Sequence, residues 1–92
     1  MHAFDGDLLI GGMSLRDLHG ELEQEEQASG SRDWLLAGRV HVPPHQGQQL
    51  ELERQYLLKL KDGREGLVEL TRLSAGDGNL LADFRPRTAR PR

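Results

Sequence analysis

Four histidines are the side chains best suited to metal binding in this chain, because imidazole is a common zinc ligand. His41 and His45 are four residues apart, the spacing at which two histidines on one helix hold zinc in metalloproteases. Pro43 and Pro44 lie between them, and proline interrupts a helix. We therefore expect His41 on the outer face of a strand and His45 in a loop. The sequence predicts surface histidines and no metal site.

Acidic side chains recur at every second position in one stretch, at Glu21, Glu23 and Glu25. This spacing places them on one face of a strand. Two carboxylates can act as general acid and base when burial raises the pKa of one of them, but the polar surroundings here indicate a solvated face. Arg39 and His41 would balance these acids if their strand is a neighbour.

The sequence contains no motif of a catalytic or cofactor site. The phosphate-binding loop, the glycine pattern of dinucleotide-binding folds and the nucleophile elbow of hydrolases do not occur in it. Asp5-Gly6-Asp7 and Asp77-Gly78-Asn79 offer too few ligands for a calcium loop and indicate turns. We therefore expect a non-catalytic protein that uses no cofactor.

The last eight residues carry the clearest charge feature. Residues 85–92 hold four of the twelve basic residues and no acid, so the preceding body has eight basic and fifteen acidic residues and a net charge of −7. Arginine mixed with proline favours neither helix nor strand, which predicts a disordered basic tail. Nucleic acid or another polyanion could bind it weakly and in a salt-sensitive way, although the acidic body repels phosphates. The residues of this alternative site are Arg85, Arg87, Arg90 and Arg92.

Turn residues recur at short intervals along the rest of the chain, and the segments between them are short. This pattern predicts a mainly β protein, a small antiparallel barrel or sandwich of five to six strands, as a single domain over residues 1–84. Leucine is far more frequent than valine, isoleucine or threonine, so alternation rather than β propensity supports the assignment. The predicted strands are Asp7–Ile10, Leu18–Gln24, Trp34–Val42, Gln49–Lys61, Arg64–Leu73 and Leu80–Phe84.

Asp62-Gly63 between two apolar runs is a strong hairpin signal. A two-residue loop would mix core and solvent residues on one face. A three-residue loop of residues 61–63, with Gly63 left-handed, instead pairs apolar with apolar and basic with acidic residues. The predicted partners are Leu60 with Arg64, Lys59 with Glu65, Leu57 with Leu67, and Tyr56 with Val68.

Residues 14–27 permit two interpretations. Leu15, Leu18 and Leu22 would share one face of a helix, which suggests a short helix near residues 14–27. However, Leu18-His19-Gly20-Glu21-Leu22-Glu23 has the same Leu-x-Gly-x-aliphatic pattern as Leu36-Ala37-Gly38-Arg39-Val40-His41, and a glycine within a helix costs about 0.8–1 kcal/mol. We favour two similar strands, and the helix remains the alternative.

Three leucines fall on the face of their strands that points away from the core. Leu57 and Leu67 are out of phase with Tyr56 and Val68, and Leu35 is out of phase with its neighbours. A second apolar cluster on a small barrel must be covered. The cover is either residues 8–10 or a short helix of the same chain, or a second chain. On the second interpretation, Leu35, Leu57 and Leu67 form an interface.

These features predict a binding or assembly module that works through an apolar sheet surface. Its partner is expected to be a second copy, giving a homodimer, or another protein. The N-terminus lacks the basic and apolar regions of a secretory signal, and the longest apolar run is too short for a membrane helix. The chain has no cysteine. We therefore expect a soluble, cytoplasmic protein without membrane contact.

Overall fold

Six antiparallel strands form a closed barrel in the computed structural model, which describes residues 2–27, 33–47, 50–76 and 78–87. The order around the barrel is β1-β2-β3-β6-β5-β4, and β4 pairs with β1 to close it. The predicted mainly β fold is confirmed. The elements are β1 (His2–Ile10), β2 (Met13–Gln27), β3 (Trp34–Val42), α1 (Pro44–Gly47), β4 (Gln55–Leu60), β5 (Glu65–Ala75) and β6 (Leu80–Pro86).

The helix predicted as an alternative near residues 14–27 is wrong, because this segment belongs to strand β2. Leu15 and Leu18 have helical spacing, yet both point into the barrel. A β-bulge explains the discrepancy: the register between β1 and β2 shifts beside Asp7, where Asp17 has a φ of 59°. The extra residue in β2 returns Leu18 to the inside. The short helical piece of the chain is α1.

The hairpin between β4 and β5 has the predicted register. Leu57 pairs with Leu67, and the flanking partners agree on both sides. The loop of residues 61–63 is closed by two backbone hydrogen bonds, from the Leu60 N–H to the Arg64 carbonyl at 2.8 Å and from the Gly63 N–H to the Leu60 carbonyl at 3.0 Å. Gly63 has a φ of 101°, as the bulged turn requires.

The segment before β4 is not a continuation of that strand, which begins at Gln55 rather than at the predicted residue 49. Leu50 is buried beneath the barrel end. The Glu53 N–H donates to the Leu70 carbonyl at 2.9 Å, and the Glu51 N–H donates to the Tyr56 hydroxyl at 2.9 Å. These bonds hold residues 50–54 against β4 and β5, outside the regular pairing of the strands.

The interior of the barrel is a packed apolar core. No polar or charged residue among the described ranges is buried. Such an interior leaves binding to the outer surface, since small barrels fill their inside with side chains. The largest fully buried side chains are Tyr56, Leu8, Leu18, Leu22, Leu36, Leu58, Leu70, Val40, Val42 and Val68.

The basic C-terminal segment begins within the barrel. β6 continues through Arg85 to Pro86, past the predicted boundary at Phe84, because both residues pair with β5. The Arg87 N–H then donates to the Leu67 carbonyl at 2.8 Å. Residues 85–87 of the predicted tail are thus bonded to the barrel. Residues 88–92 lie outside the described part of the chain.

The described residues form one short helix, α1. In the described ranges, none has the length and apolar character that a membrane crossing requires.

Candidate functional site

A row of three leucines crosses the outer face of three neighbouring strands, and we call it the leucine row. Leu57 of β4 is the direct partner of Leu67 of β5 on one side and of Leu9 of β1 on the other. All three side chains are half-buried. Leu57 and Leu67 were predicted to face away from the core, and the structure brings them together as neighbours.

Strand alternation fixes the outward direction of the leucine row. Tyr56 and Leu58, on either side of Leu57, are almost completely buried, as is Leu8 beside Leu9. Because successive side chains of a strand point to opposite faces, the residues between these core positions must point outward. The leucine row is therefore a consequence of the same register that builds the core.

Leu9 is the member of the row that sequence reasoning missed. It belongs to the uninterrupted apolar run of residues 8–10, in which alternation gives no signal. The pairing of β1 with β4, a contact between distant parts of the chain, identifies it. This pairing also shows that the N-terminal segment does not cover the leucine pair, because β1 lies beside β4 in the barrel wall and adds a third leucine.

An apolar groove adjoins the leucine row at the turn between β1 and β2. It has a volume of about 480 Å³ and is lined by Leu57, Leu9 and Ile10 together with the turn residues. Met13 lines it as well and is 43 % exposed, unusually open for a methionine. Gly11 and Gly12 form the turn with positive φ angles of 48° and 91°. The apolar surface thus extends beyond the row itself.

Polar rows border the leucine row on both sides. Each is built from the residues two positions along the same strands, so they lie on the same outer face. An apolar centre with a polar rim is the usual composition of a protein interface. The members are Asp7, Lys59 and Glu65 on one side and Gln55 and Glu69 on the other, where Arg85 of β6 pairs with Glu69.

Leu35, the third predicted interface residue, lies elsewhere on the barrel. It is half-buried on β3 and pairs with Glu26 of β2. Its neighbour Trp34 approaches β5 closely: a methyl group at Gly66 would lie 2.1 Å from the Trp34 carbonyl oxygen. The start of β3 therefore meets the start of β5, but Leu35 is not a strand partner of the leucine row.

Arg64 connects the hairpin to the strands on the other side of the barrel. Its guanidinium lies 5.1 Å from the centre of the Trp34 ring and donates to Glu25 Oε1 at 2.7 Å and to Asp62 Oδ2 at 2.8 Å. The hydrogen bonds to Asp62 and Glu25 raise the pKa of Arg64. The bond from Arg64, with a second from His2, lowers the pKa of Glu25.

Glu69 balances one of the two positive charges that the structure describes in the predicted polyanion site. Arg85 bonds to Glu69 Oε2 at 2.9 Å, and Arg87 approaches Glu69 Oε1 at 3.8 Å. Glu69 is only 16 % exposed, and its carboxylate lies near the guanidinium groups of both arginines. Arg90 and Arg92 lie outside the described residues. The alternative function receives little support from Arg85 and Arg87.

The histidines lie at the surface, three of them beside carboxylates. His2 contacts Glu25, His19 contacts Asp5, and His41 Nε2 lies 3.3 Å from Glu21 Oε2. The two glycine-containing strands are neighbours, since β2 pairs with β3. Arg39, expected to balance the acids of β2, forms its ion pair with Asp83 of β6. His45 lies in α1 instead of a loop.

In the part of the chain that the structure describes, no group of three or more histidine, aspartate or glutamate side chains is arranged to hold a metal ion. Comparison of the chain with protein-family models, with curated proteins and with solved structures finds no match.

Proposed function

We propose that this barrel is a non-catalytic protein-interaction or assembly module that binds its partner through the leucine row. The observation behind the proposal is the row itself: three half-buried leucines from three adjacent strands, placed side by side and bordered by polar residues. Burying apolar area contributes about 25 cal/mol per Å², so a partner that covers the row and the adjoining groove gains free energy from contact.

Closure of the barrel favours contact through side chains. In the described part of the chain each strand has a neighbour on both sides, so most backbone groups in the barrel wall are already paired. Closure therefore favours docking of one face on another over strand addition. A second copy of the chain and a different protein would both fit this mode of binding. The cytoplasmic location remains a prediction from the sequence.

The test is the molar mass in solution, measured by light scattering over a range of concentrations. We expect wild-type mass to rise above the 10.3 kDa of the monomer and Leu57→Gln and Leu67→Gln to lower it without loss of the folded state. Leu52→Gln is the matched control, because Leu52 is 51 % exposed and outside the row. A monomeric wild type whose Leu57→Gln variant is strongly destabilised would show that the row is internal packing and would refute the proposal.

A further inference from the structure

Two histidines are direct cross-strand partners on the outer face of the barrel. His19 of β2 pairs with His41 of β3, and neither residue belongs to the leucine row. Their side chains are 75 % and 36 % exposed, so both rings are accessible. The two residues are 22 positions apart in the chain, and the strand register brings them together.

Each imidazole has one nitrogen engaged by a carboxylate. His19 Nδ1 contacts Asp5 Oδ1, and His41 Nε2 lies 3.3 Å from Glu21 Oε2. Within the described residues, Nε2 of His19 and Nδ1 of His41 are therefore left for a further ligand. A carboxylate on the far nitrogen is the usual arrangement around histidines that bind metal, because it fixes the ring and makes it more basic.

The geometry of a cross-strand pair suits one shared metal ion. Direct partners on antiparallel strands hold their Cβ atoms about 4.5–5.5 Å apart. Two nitrogens that each bind a metal at about 2.0–2.1 Å lie about 3 Å from each other. Cβ atoms at this separation allow the nitrogens of two imidazoles to reach one ion without movement of the strands.

We propose that His19 and His41 bind one divalent transition-metal ion of the class that favours imidazole, namely Zn²⁺, Ni²⁺ or Cu²⁺. The protein supplies two ligands, and water fills the remaining positions, in keeping with the finding that no group of three ligands converges in the described ranges. Asp5 and Glu21 orient the two rings. The site is independent of the proposed protein-interaction function, because none of its four side chains belongs to the leucine row.

The experiment titrates the full, tag-free chain with Zn²⁺ and with Ni²⁺ by calorimetry at about pH 7.5, because protons compete with a metal ion for its ligands at lower pH. We expect one ion per chain and a rise in the melting temperature when the ion is present, because a ligand that binds only the folded state stabilises it. His19→Gln and His41→Gln should each weaken binding at least about tenfold and remove the thermal shift.

His45→Gln and His2→Gln are the controls, since these histidines lie in α1 and at the start of β1. We expect both to bind the ion as the wild type does. Melting curves without metal establish that each variant is folded. The proposal is overturned if the wild type binds neither ion, or if His19→Gln or His41→Gln keeps wild-type affinity.

Discussion

Phe4 and Phe84 meet edge to face in the core, with ring centroids 6.1 Å apart and planes at 88°. Each ring belongs to a residue whose strand partner is a glycine: Phe4 pairs with Gly20, and Phe84 pairs with Gly38. A methyl group at Gly20 would lie 2.7 Å from the Phe4 ring. The two glycines of the repeated Leu-x-Gly-x-aliphatic pattern thus have a common role: each lacks a side chain where atoms of a neighbouring strand approach closely.

Replacing Gly38 by alanine should destabilise the barrel. The added methyl group would lie 2.0 Å from the Glu21 carbonyl oxygen, a backbone atom of the neighbouring strand that cannot move aside alone. We expect Gly38→Ala to lower the free energy of unfolding by about 1–3 kcal/mol, the usual cost of overpacking. Urea denaturation followed by circular dichroism measures it. Glu23→Ala, on an exposed position of β2, serves as the control, and equal stability of the two variants would argue against close packing at Gly38.

Gly63 provides a separate test of the hairpin loop. Its φ of 101° lies in a region that side chains rarely adopt, while the space around its Cβ position is open. Any loss of stability in Gly63→Ala therefore reflects backbone strain alone, and we expect about 1–2 kcal/mol in urea denaturation. If Gly63→Ala is as stable as the wild type, the loop does not have the bulged three-residue form.

The bond from Arg64 to Glu25 should make stability depend on acid pH. It lowers the pKa of Glu25 below the ordinary value of 4.5. A group with a lowered folded-state pKa stabilises the fold fully above its ordinary pKa, and this stabilisation is lost as the pH falls through the folded-state value. The free energy of unfolding should therefore fall as the pH drops below the ordinary pKa of Glu25, and fall less in Glu25→Gln than in the wild type.

The same denaturation series in Glu23→Gln is the matched control, since it removes one carboxylate from the same strand. If both variants show the same acid dependence as the wild type, the Arg64–Glu25 bond does not form in solution. Asp62, whose pKa is lowered by the side-chain bond from Arg64, contributes in the same direction, so part of the acid dependence should persist in Glu25→Gln.

Removing Glu69 should reveal whether Arg85 and Arg87 can bind a polyanion. Both arginines are held near this carboxylate, at 2.9 Å and 3.8 Å. We expect Glu69→Gln to bind a single-stranded oligonucleotide more tightly than the wild type does, with a steeper decrease of affinity as salt is added. Glu23→Gln changes the net charge by the same amount at a distant position. If the two variants bind equally, net charge alone explains the effect and Glu69 does not mask the arginines.

Local patterns predicted much of the fold. Alternation placed β3 at its observed bounds, and the pairing of apolar and charged residues gave the register of β4 and β5, since these strands are joined by a short turn. The bulge beside Asp17 was not predictable, because it depends on β1 and made Leu15 and Leu18 resemble a helical face. Likewise, pairing between strands distant in sequence places Leu9 in the leucine row and His19 beside His41.

The position of β6 has a consequence for the order in which this protein can be completed during synthesis. β6 lies between β3 and β5, although it is synthesised after both of them. Until it arrives, the sheet of β1, β2 and β3 and the hairpin of β4 and β5 each present an unoccupied hydrogen-bonding edge, the feature through which incomplete chains aggregate. A single late insertion fills both edges at once and brings Phe84 to Phe4. A nascent chain interrupted before residue 80 would be prone to aggregation, so premature termination should be more damaging to this barrel than most single substitutions.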